Sequence, residues 1–364
     1  MNIVIRVDSS FEIGTGHVMR CLTLAEVLRR KGARISFICR DLPGNLGNYL
    51  IEKGFNVCLL PPPKNCDQVK YNHLYESWLK VPWQIDAEET IEILKVAKPV
   101  DGLIVDHYAI DKKWEVMVKA FVGKIVIIDD LANRPHDCKI LLDQNFSNES
   151  NRYNHLLPNN CVKLLGTGYA ILREEFRREN IRMEERSGQI KNLLIFFGGT
   201  DPTSETIKAL KGLNSISVSD LHINVVVGKS NPYKHLIKEE CDKALNISYH
   251  CQIENMAELM READLSIGAG GSTTWERCFL GLPSIVIATA ENQVEITRLV
   301  NSKGAIHYLG LSETVTQSMI ANAVEDMLTN PKRVKIMSEK ARALMGDSRF
   351  NEIIERIMEV ENAG

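Results

Sequence analysis

Short runs of apolar and β-branched residues alternate along this chain with segments whose apolar positions recur at helical spacing. In the first 130 residues, five such runs predict strands at residues 2–7, 34–38, 56–60, 102–106 and 124–128. Between the first two runs, the apolar residues follow one face of a helix, at Val18, Cys21, Leu22, Ala25 and Leu28. Strands that alternate with helices in this way favour a mostly parallel sheet covered on both faces.

The same rhythm restarts after a strongly charged segment, residues 173–186, which predicts a solvated helix with i,i+4 charge pairs at a domain junction. The strands predicted beyond it are 192–197, 222–227, 264–267 and 284–288, with helices at 203–213, 257–263 and 348–361. At 364 residues the chain is too long for one ordinary core. We therefore expect two domains, residues 1–172 and 173–364, although the pattern leaves open which domain the last helix packs on.

The predicted fold class is α/β, with two Rossmann-type doubly wound domains in series. Ligand sites in such sheets lie beyond the carboxyl ends of the strands. Two units of this kind suggest domains that face each other across a cleft. We therefore look for chemistry in the residues that follow each predicted strand.

Composition excludes several classes of function. Hydrophobic residues make up 44% and charged residues 25%, and the formal net charge of −3 argues against a nucleic-acid-binding surface. No apolar stretch approaches the roughly 20 residues of a membrane helix, and the first residues do not resemble a signal peptide. We expect a cytoplasmic protein with no stable membrane association and no obligatory protein partner.

The nine cysteines are scattered and form no CxxC pair. In a chain without a signal peptide, this favours reduced thiols over a disulfide framework or a zinc site. The proline-containing segment 61–82 predicts a long surface loop, within which a helical piece is compatible with the pattern.

The strand at 2–7 is followed by a glycine turn with a histidine behind it, in the order Gly14, Thr15, Gly16, His17. We expect a helix to begin here. Its positive end disfavours an imidazolium ion and leaves the ring able to accept a proton near pH 7. The ordinary alternative is a histidine that merely caps or packs.

A second glycine loop follows the strand at 264–267 and comprises Gly268, Ala269, Gly270, Gly271, Ser272 and Thr273. Exposed N–H groups and a helix dipole favour an anion here, although the spacing fits neither a Walker loop nor GxGxxG. Glu276 falls in the first turns of the helix, where it could reach a ribose diol. A simple dipole contact is the alternative reading.

Polar residues follow two further strands of the first half. Asp106, His107 and Tyr108 suit a cleft-lining position, although Asp106 could simply cap the next turn. Asp129 and Asp130 are adjacent carboxylates, a pattern that suggests a metal-binding site. Successive strand residues point to opposite faces, however, so we expect no metal site there.

Two polar segments in the second half are weaker candidates. Asp201 is expected to cap a helix whose first residue is Pro202, and a phosphate-facing role for residues 198–201 stays open. Asn292 and Gln293 follow the strand at 284–288. They offer amide groups to sugar hydroxyls, although an ordinary polar loop would look the same.

The two glycine loops, with Glu276 shortly ahead of Leu282 and Pro283, resemble the GT-B glycosyltransferase superfamily. Residues 270–283 are similar to the nucleotide-binding region of the peptidoglycan GlcNAc transferase. Within the superfamily, five blocks resemble the UDP-sugar hydrolases of pseudaminic acid biosynthesis, namely residues 6–10, 14–20, 106–108, 128–131 and 169–176. The resemblance extends from residue 1 to about residue 300.

The resemblance implies a GT-B-like enzyme that hydrolyses a UDP-linked diacetamido-trideoxy sugar for a surface glycan such as glycosylated flagellin, without a metal or other cofactor. It implies His17 as the base, with substrate-binding residues Gly16, Tyr108, Asn292 and Gln293. It also implies a UDP site that comprises Ile253 for the uracil, Gly270, Gly271, Ser272 and Thr273 for the diphosphate, and Glu276 for the ribose. One departure is a longer first domain around residues 61–83, which leaves the identity of the sugar open.

Three other functions remain compatible with the sequence. A true glycosyltransferase would use a sugar or a polyprenyl-linked acceptor in place of water. A UDP-sugar 2-epimerase would share the fold and yield an isomer. A nucleotide-sugar-binding protein without activity would have no use for His17.

Overall fold

The structure is a computed structural model that describes residues 1–63, 75–149, 151–217 and 220–359. The chain divides into two compact units. The first holds Met1–Ile171 together with the chain from Ser348 onward, and the second holds Leu172–Asp347. The division thus falls one residue before the expected boundary, and the last helix packs in the first unit.

The first unit is built on a seven-stranded parallel sheet. Its strands are β1 (Asn2–Val7), β2 (Arg34–Arg40), β3 (Asn56–Leu60), β4 (Gly102–Asp106), β5 (Ile125–Ile128), β6 (Ile140–Asp143) and β7 (Val162–Leu165). Their order in the sheet is β3-β2-β1-β4-β5-β6-β7. The helices that follow these strands are α1 (Gly16–Arg30), α2 (Gly47–Glu52), α3 (Trp83–Val96) and α4 (Lys112–Val118).

The second unit is built on a six-stranded parallel sheet. Its strands are β8 (Asn192–Phe196), β9 (His222–Val227), β10 (Ile247–Cys251), β11 (Leu265–Ala269), β12 (Ser284–Ala288) and β13 (His307–Leu311), in the order β10-β9-β8-β11-β12-β13. Its helices are α5 (Glu174–Ile181), α6 (Glu205–Leu213), α7 (Lys234–Cys241), α8 (Met256–Glu262), α9 (Thr273–Phe279), α10 (Val294–Ser302), α11 (Gln317–Thr329) and α12 (Pro331–Met345).

The last helix, α13 (Phe350–Met358), belongs to the first unit. Its apolar face, with Phe350, Ile353 and Ile357, is buried in the same core cluster as the apolar face of α1. The predicted stripe on α1 is confirmed, because all five of its apolar residues are buried. Burial of one face of each helix is the main source of its stability.

The structure corrects two of the predicted helices. The charged helix expected at 173–186 ends at Ile181, because charge pairs alone add only a few tenths of a kcal/mol each to a helix. Pro202 is not a first helical residue, since α6 begins at Glu205. Asp201 does cap this helix, and its carboxylate accepts hydrogen bonds from the backbone N–H groups of Glu205 and Thr206.

Three other expectations concern the loop predicted at 61–82, the state of the cysteines and the absence of a membrane-spanning helix. Residues 64–74 of the predicted loop and Cys66 lie outside the described residues. The other eight cysteines are free, as expected, and the sulfur atoms of Cys138 and Cys161 lie 3.6 Å apart. Across the described ranges, no helix has both the length and the apolar character that a bilayer crossing requires.

Four neighbouring strands of the first sheet each end at an aspartate whose side chain is buried. Asp8 follows β1, Asp106 ends β4, Asp129 follows β5 and Asp143 ends β6, and none is more than 2% exposed. Each carboxylate pairs with an arginine, in the pairs Asp8–Arg6, Asp106–Arg20, Asp129–Arg134 and Asp143–Arg152. Buried carboxylates need such partners, since an unpaired buried charge is costly.

The pKa values of these carboxyl groups differ. Burial alone would raise all four, but the neighbouring arginines hold the pKa of Asp8, Asp106 and Asp129 below the usual range. Burial raises the pKa of Asp143 to about 7, and the more distant Arg152, 3.3 Å away, only partly offsets it. Asp143 therefore takes up a proton on folding between about pH 4 and pH 7.

The substitution Asp143→Asn tests this assignment. A carboxyl whose pKa is raised on folding contributes stability that is complete below about pH 4 and lost as the pH rises through about 7. From pH 5 to pH 8, the wild type should lose about 2–3 kcal/mol of unfolding free energy relative to Asp143→Asn. Urea denaturation of both proteins at the two pH values measures this, and a constant difference would contradict the assignment.

Candidate functional site

The turn between β1 and α1 places a histidine at the carboxyl edge of the first sheet. The turn closes with a hydrogen bond from the N–H group of Gly14 to the carbonyl oxygen of Ser10. Gly14 has a φ of +80°, a left-handed conformation that glycine adopts without strain. Gly16 is the first residue of α1, and His17, which follows it, is 9% exposed.

Asp106 holds the ring of His17 through its Nδ1 atom. The distance from Nδ1 to Oδ1 of Asp106 is 2.6 Å. Arg20, one turn along α1, donates to both oxygens of the same carboxylate at 2.6 Å. Burial would raise the pKa of Asp106, but Arg20 and His17 hold it well below its usual range.

The ionised carboxylate determines which nitrogen of His17 can accept a proton. Since a carboxylate without a proton only accepts hydrogen bonds, Nδ1 must carry the hydrogen and donate it. Among the described residues, no hydrogen bond is made to Nε2 of His17. The neutral ring therefore has its acceptor lone pair on Nε2, as a general base requires.

Tyr108 lies beside His17, with the ring centroids 4.6 Å apart and the planes at 87°. Its hydroxyl group donates to Asp130 at 2.5 Å, and Asp130 also accepts from Arg20. Burial, followed by the charge of Asp130, raises the pKa of Tyr108. The hydroxyl is thus engaged within the protein, and the ring is what Tyr108 offers to a ligand.

The remaining polar residues at these strand ends have structural partners. His107 lies 3.2 Å from a carboxylate oxygen of Asp8 and is 3% exposed. Asp129 pairs with Arg134, whereas Asp130 pairs with Arg20, so the adjacent carboxylates face different cations. Within the described residues, no group of three or more candidate ligands is arranged to hold a metal ion.

The second glycine loop joins β11 to α9. A side chain on Gly270 would lie 2.4 Å from the hydroxyl of Thr297, whereas one on Gly271 would meet nothing closer than 3.7 Å, the amide nitrogen of Gln293. Ser272 and Thr273 lead into α9. The structure thus brings Gln293 next to Gly270 and Gly271.

Gln293 and its neighbour Asn292 lie in the short turn that precedes α10. The side-chain oxygen of Gln293 accepts a hydrogen bond from the backbone N–H of Thr289 at 2.9 Å. Its amide nitrogen lies on the side of Gly271. Asn292 is half-buried.

Glu276 in α9 has one engaged oxygen and one unengaged oxygen. Arg173 donates to Oε1 at 3.1 Å. The other oxygen, Oε2, is buried and has no hydrogen-bond partner among the described residues. A buried carboxylate oxygen without a partner is costly, and a ligand hydroxyl would satisfy it.

Ile253 lies in the loop between β10 and α8, after Gln252, whose φ of 55° turns the chain. Gln252 is fixed by its own N–H, which donates to the carbonyl oxygen of Val227 at 3.0 Å. The backbone N–H and C=O groups of Ile253 make no hydrogen bond to the described residues. They are therefore available to pair with a ligand.

Arg277, which the sequence did not single out, lies buried next to the second glycine loop. Its side chain is 1% exposed, and it donates to the carbonyl oxygen of Ala269 and to the hydroxyl of Thr274. It makes no ion pair with the described carboxylates, and burial lowers its pKa to about 10. A buried guanidinium directly behind the glycine loop gives this loop a positive field.

Arg20 and Asp130 were also not assigned by the sequence. Arg20 lies three residues after His17, the spacing of one helical turn, and this spacing was the available signal. Asp130 was considered only as a metal ligand, because its contacts to Arg20 and Tyr108 join residues that are distant in the sequence.

Comparison with known proteins supports the predicted fold and the resemblance found in the sequence. Residues 193–357 match the glycosyltransferase family 28 C-terminal domain. The chain is 27% identical over 306 residues to the UDP-2,4-diacetamido-2,4,6-trideoxy-β-L-altropyranose hydrolase of Campylobacter jejuni, covering 84% of this chain and 97% of that protein. It is 32% identical over 305 residues to an uncharacterized protein of Methanocaldococcus jannaschii, covering 81% of this chain but only 57% of that protein.

Among solved structures, the crystal structure of MurG from Acinetobacter baumannii matches with a TM-score of 0.62 and 16% identity. The match covers 98% of this chain and 99% of MurG. At this identity, the likeness establishes the fold alone. The chain has the GT-B fold, and its sequence resembles the UDP-sugar hydrolases of pseudaminic acid biosynthesis, as its motifs predicted.

Proposed function

We propose that this protein hydrolyses a UDP-linked diacetamido-trideoxy sugar to the free sugar and UDP, in the biosynthesis of pseudaminic or a related nonulosonic acid. The observation that carries the proposal is the His17–Asp106 pair, which leaves Nε2 of His17 as a proton acceptor. The C. jejuni relative, 97% of which is matched by this chain, supports the choice of substrate.

In the proposed reaction, Nε2 of His17 takes a proton from water as the water attacks the anomeric carbon. Asp106 stabilises the imidazolium that forms, and Arg20 fixes Asp106. Water attacks from the face opposite UDP, so the configuration at the anomeric carbon is inverted. Gly16 lets the backbone approach the substrate closely, and Tyr108 contacts the sugar with its ring.

In the second unit, we assign the uracil to the free backbone groups of Ile253 and the ribose to Oε2 of Glu276. The diphosphate contacts Gly270, Gly271, Ser272 and Thr273, with the field of Arg277 behind them. Asn292 and Gln293 bind the sugar. The diphosphate is a good leaving group whose charge these residues stabilise, so the scheme needs neither a general acid nor a metal.

A glycosyltransferase is the second candidate, and the match of residues 193–357 to a glycosyltransferase domain favours it. Such an enzyme would bind UDP-sugar with the same residues of the second unit. His17 would then take its proton from an acceptor hydroxyl in place of water. The two candidates therefore differ in what happens when no acceptor is present.

Hydrolysis in water enriched in oxygen-18 distinguishes these possibilities. Attack at the anomeric carbon should place the heavy oxygen in the free sugar and leave UDP unlabelled, as mass spectrometry of both products would show. Label in UDP would mean attack at phosphorus. A UDP-sugar that stays intact until an acceptor is added would favour the glycosyltransferase.

The substitution His17→Asn should lower kcat by roughly 10²–10⁴-fold while the affinity for UDP stays unchanged, because a general base contributes about this factor. Release of UDP measures the first effect and calorimetric titration with UDP the second. His155→Asn, at an exposed histidine of the first unit, is the matched control and should retain full activity. Equal kcat values for the two variants would contradict the role of His17 as the general base.

The substitution Glu276→Gln should weaken UDP binding by roughly 10-fold, because hydrogen bonds to a charged group contribute about 1.5–3 kcal/mol. The loss should be much smaller for the 2′,3′-dideoxy analogue of UDP, which has no ribose hydroxyls. Glu262→Gln, at an exposed position of the same unit, serves as control. Equal losses for UDP and its analogue would show that Glu276 does not contact the ribose.

A further inference from the structure

Two aromatic side chains, Tyr108 and Trp78, contact the ring of His17, and Tyr75 packs against both of them. Tyr75 and Trp78 come from the segment that lengthens the first unit. Trp78 stacks on Tyr108, with ring centroids 5.4 Å apart and planes at 25°. Tyr75 packs against both rings, at 5.0 Å from Trp78 and 5.2 Å from Tyr108. The ring of Trp78 also meets that of His17 edge-on, at 6.0 Å.

The backbone that follows Trp78 is anchored to the first unit. Leu79 and Val81 are buried in the core cluster that also contains Trp114 and Leu103. Lys80 forms an ion pair at 2.6 Å with Glu12, in the turn that leads to His17. The indole itself stays only half-buried. These contacts hold the backbone next to Trp78 against the first unit.

The environment of His17 is polar on one side and aromatic on the other. Asp106 accepts a hydrogen bond from Nδ1 and is itself held by Arg20, whereas Tyr108 and Trp78 contact the ring. Since the hydroxyl of Tyr108 is engaged by Asp130, the pair offers mainly ring surface. Ring surface of this kind favours carbon-bound hydrogen over hydroxyl groups and discriminates through burial of apolar area.

We propose that Trp78 and Tyr108 form an aromatic wall that contacts the methyl group at carbon 6 of the sugar, and so selects 6-deoxy sugars over their 6-hydroxy counterparts. This inference rests on the proposed function for the placement of the sugar beside His17. It assigns to Trp78, which lies in the lengthened segment, a role in specificity that is separate from the proton transfer.

The test compares two substrates that differ only at carbon 6, the UDP-linked diacetamido-trideoxy sugar and its 6-hydroxy counterpart. The ratio of their kcat/KM values should favour the deoxy sugar by roughly 10- to 100-fold in the wild type. In Trp78→Ala the ratio should fall at least about 5-fold, and Trp78→Phe should restore most of it. Trp83→Ala, at another half-buried tryptophan that packs against the same core cluster, is the matched control and should keep the ratio.

The same ratio is measured as binding affinity in a His17→Asn background, by calorimetric titration with both UDP-sugars. This binding measurement tests the aromatic wall even if the wild type releases no UDP. Absence of UDP release would contradict only the proposed hydrolysis. Should Trp78→Ala fail to fold, as judged by thermal unfolding, Trp78→Gln replaces it because it keeps more of the side-chain volume.

The proposed role of the aromatic wall is contradicted if the wild type shows no preference between the two sugars. It is also contradicted if the Trp78 variants lower activity and affinity for both sugars by the same factor, since Trp78 would then have only a structural role. A fall in the ratio that is specific to Trp78 and partly rescued by phenylalanine supports it.

Discussion

Buried carboxylates at one edge of a parallel sheet have to be neutralised by cations from the surrounding elements, and the first unit is organised around this requirement. Parallel strands bring their carboxyl ends to the same edge. Here four neighbouring strands each place an aspartate there, and four arginines from different parts of the chain pair with them. Because an unpaired buried charge costs several kcal/mol, these contacts fix how strands and helices fit together.

The same requirement orients His17 for the role proposed for it. The carboxylate of Asp106 needs donors for both oxygens, and one of them is supplied by the imidazole. The structural demand of the buried charge thus orients the ring and determines which nitrogen carries the hydrogen. A second buried polar arrangement does comparable structural work, since Asp86 of α3 accepts from Arg6, Arg40 and Trp114 and ties this helix to the sheet.

Much of this could be predicted from local patterns. The sequence predicts β1, β3 and β4 with the bounds that the structure has, because short apolar runs between turns are strong strand signals. It predicts less well where the outcome depends on distant residues. The sequence does not predict strands β6, β7, β10 and β13. The partners of Asp106, the unpaired oxygen of Glu276 and the position of Trp78 beside His17 all arise from contacts between residues that are far apart in the sequence.

The glycines of the second loop serve two different purposes. A side chain on Gly268 would lie 2.5 Å from the guanidinium of Arg277, and one on Gly270 would collide with Thr297, so these two glycines are required by the protein's own packing. Only Gly271 has room for a larger residue. The glycine-rich loop proposed to hold the diphosphate therefore combines constraints from internal packing with a position that is free of them. Position 271 is where a larger residue would change the surface of the loop without disturbing the buried arginine beneath.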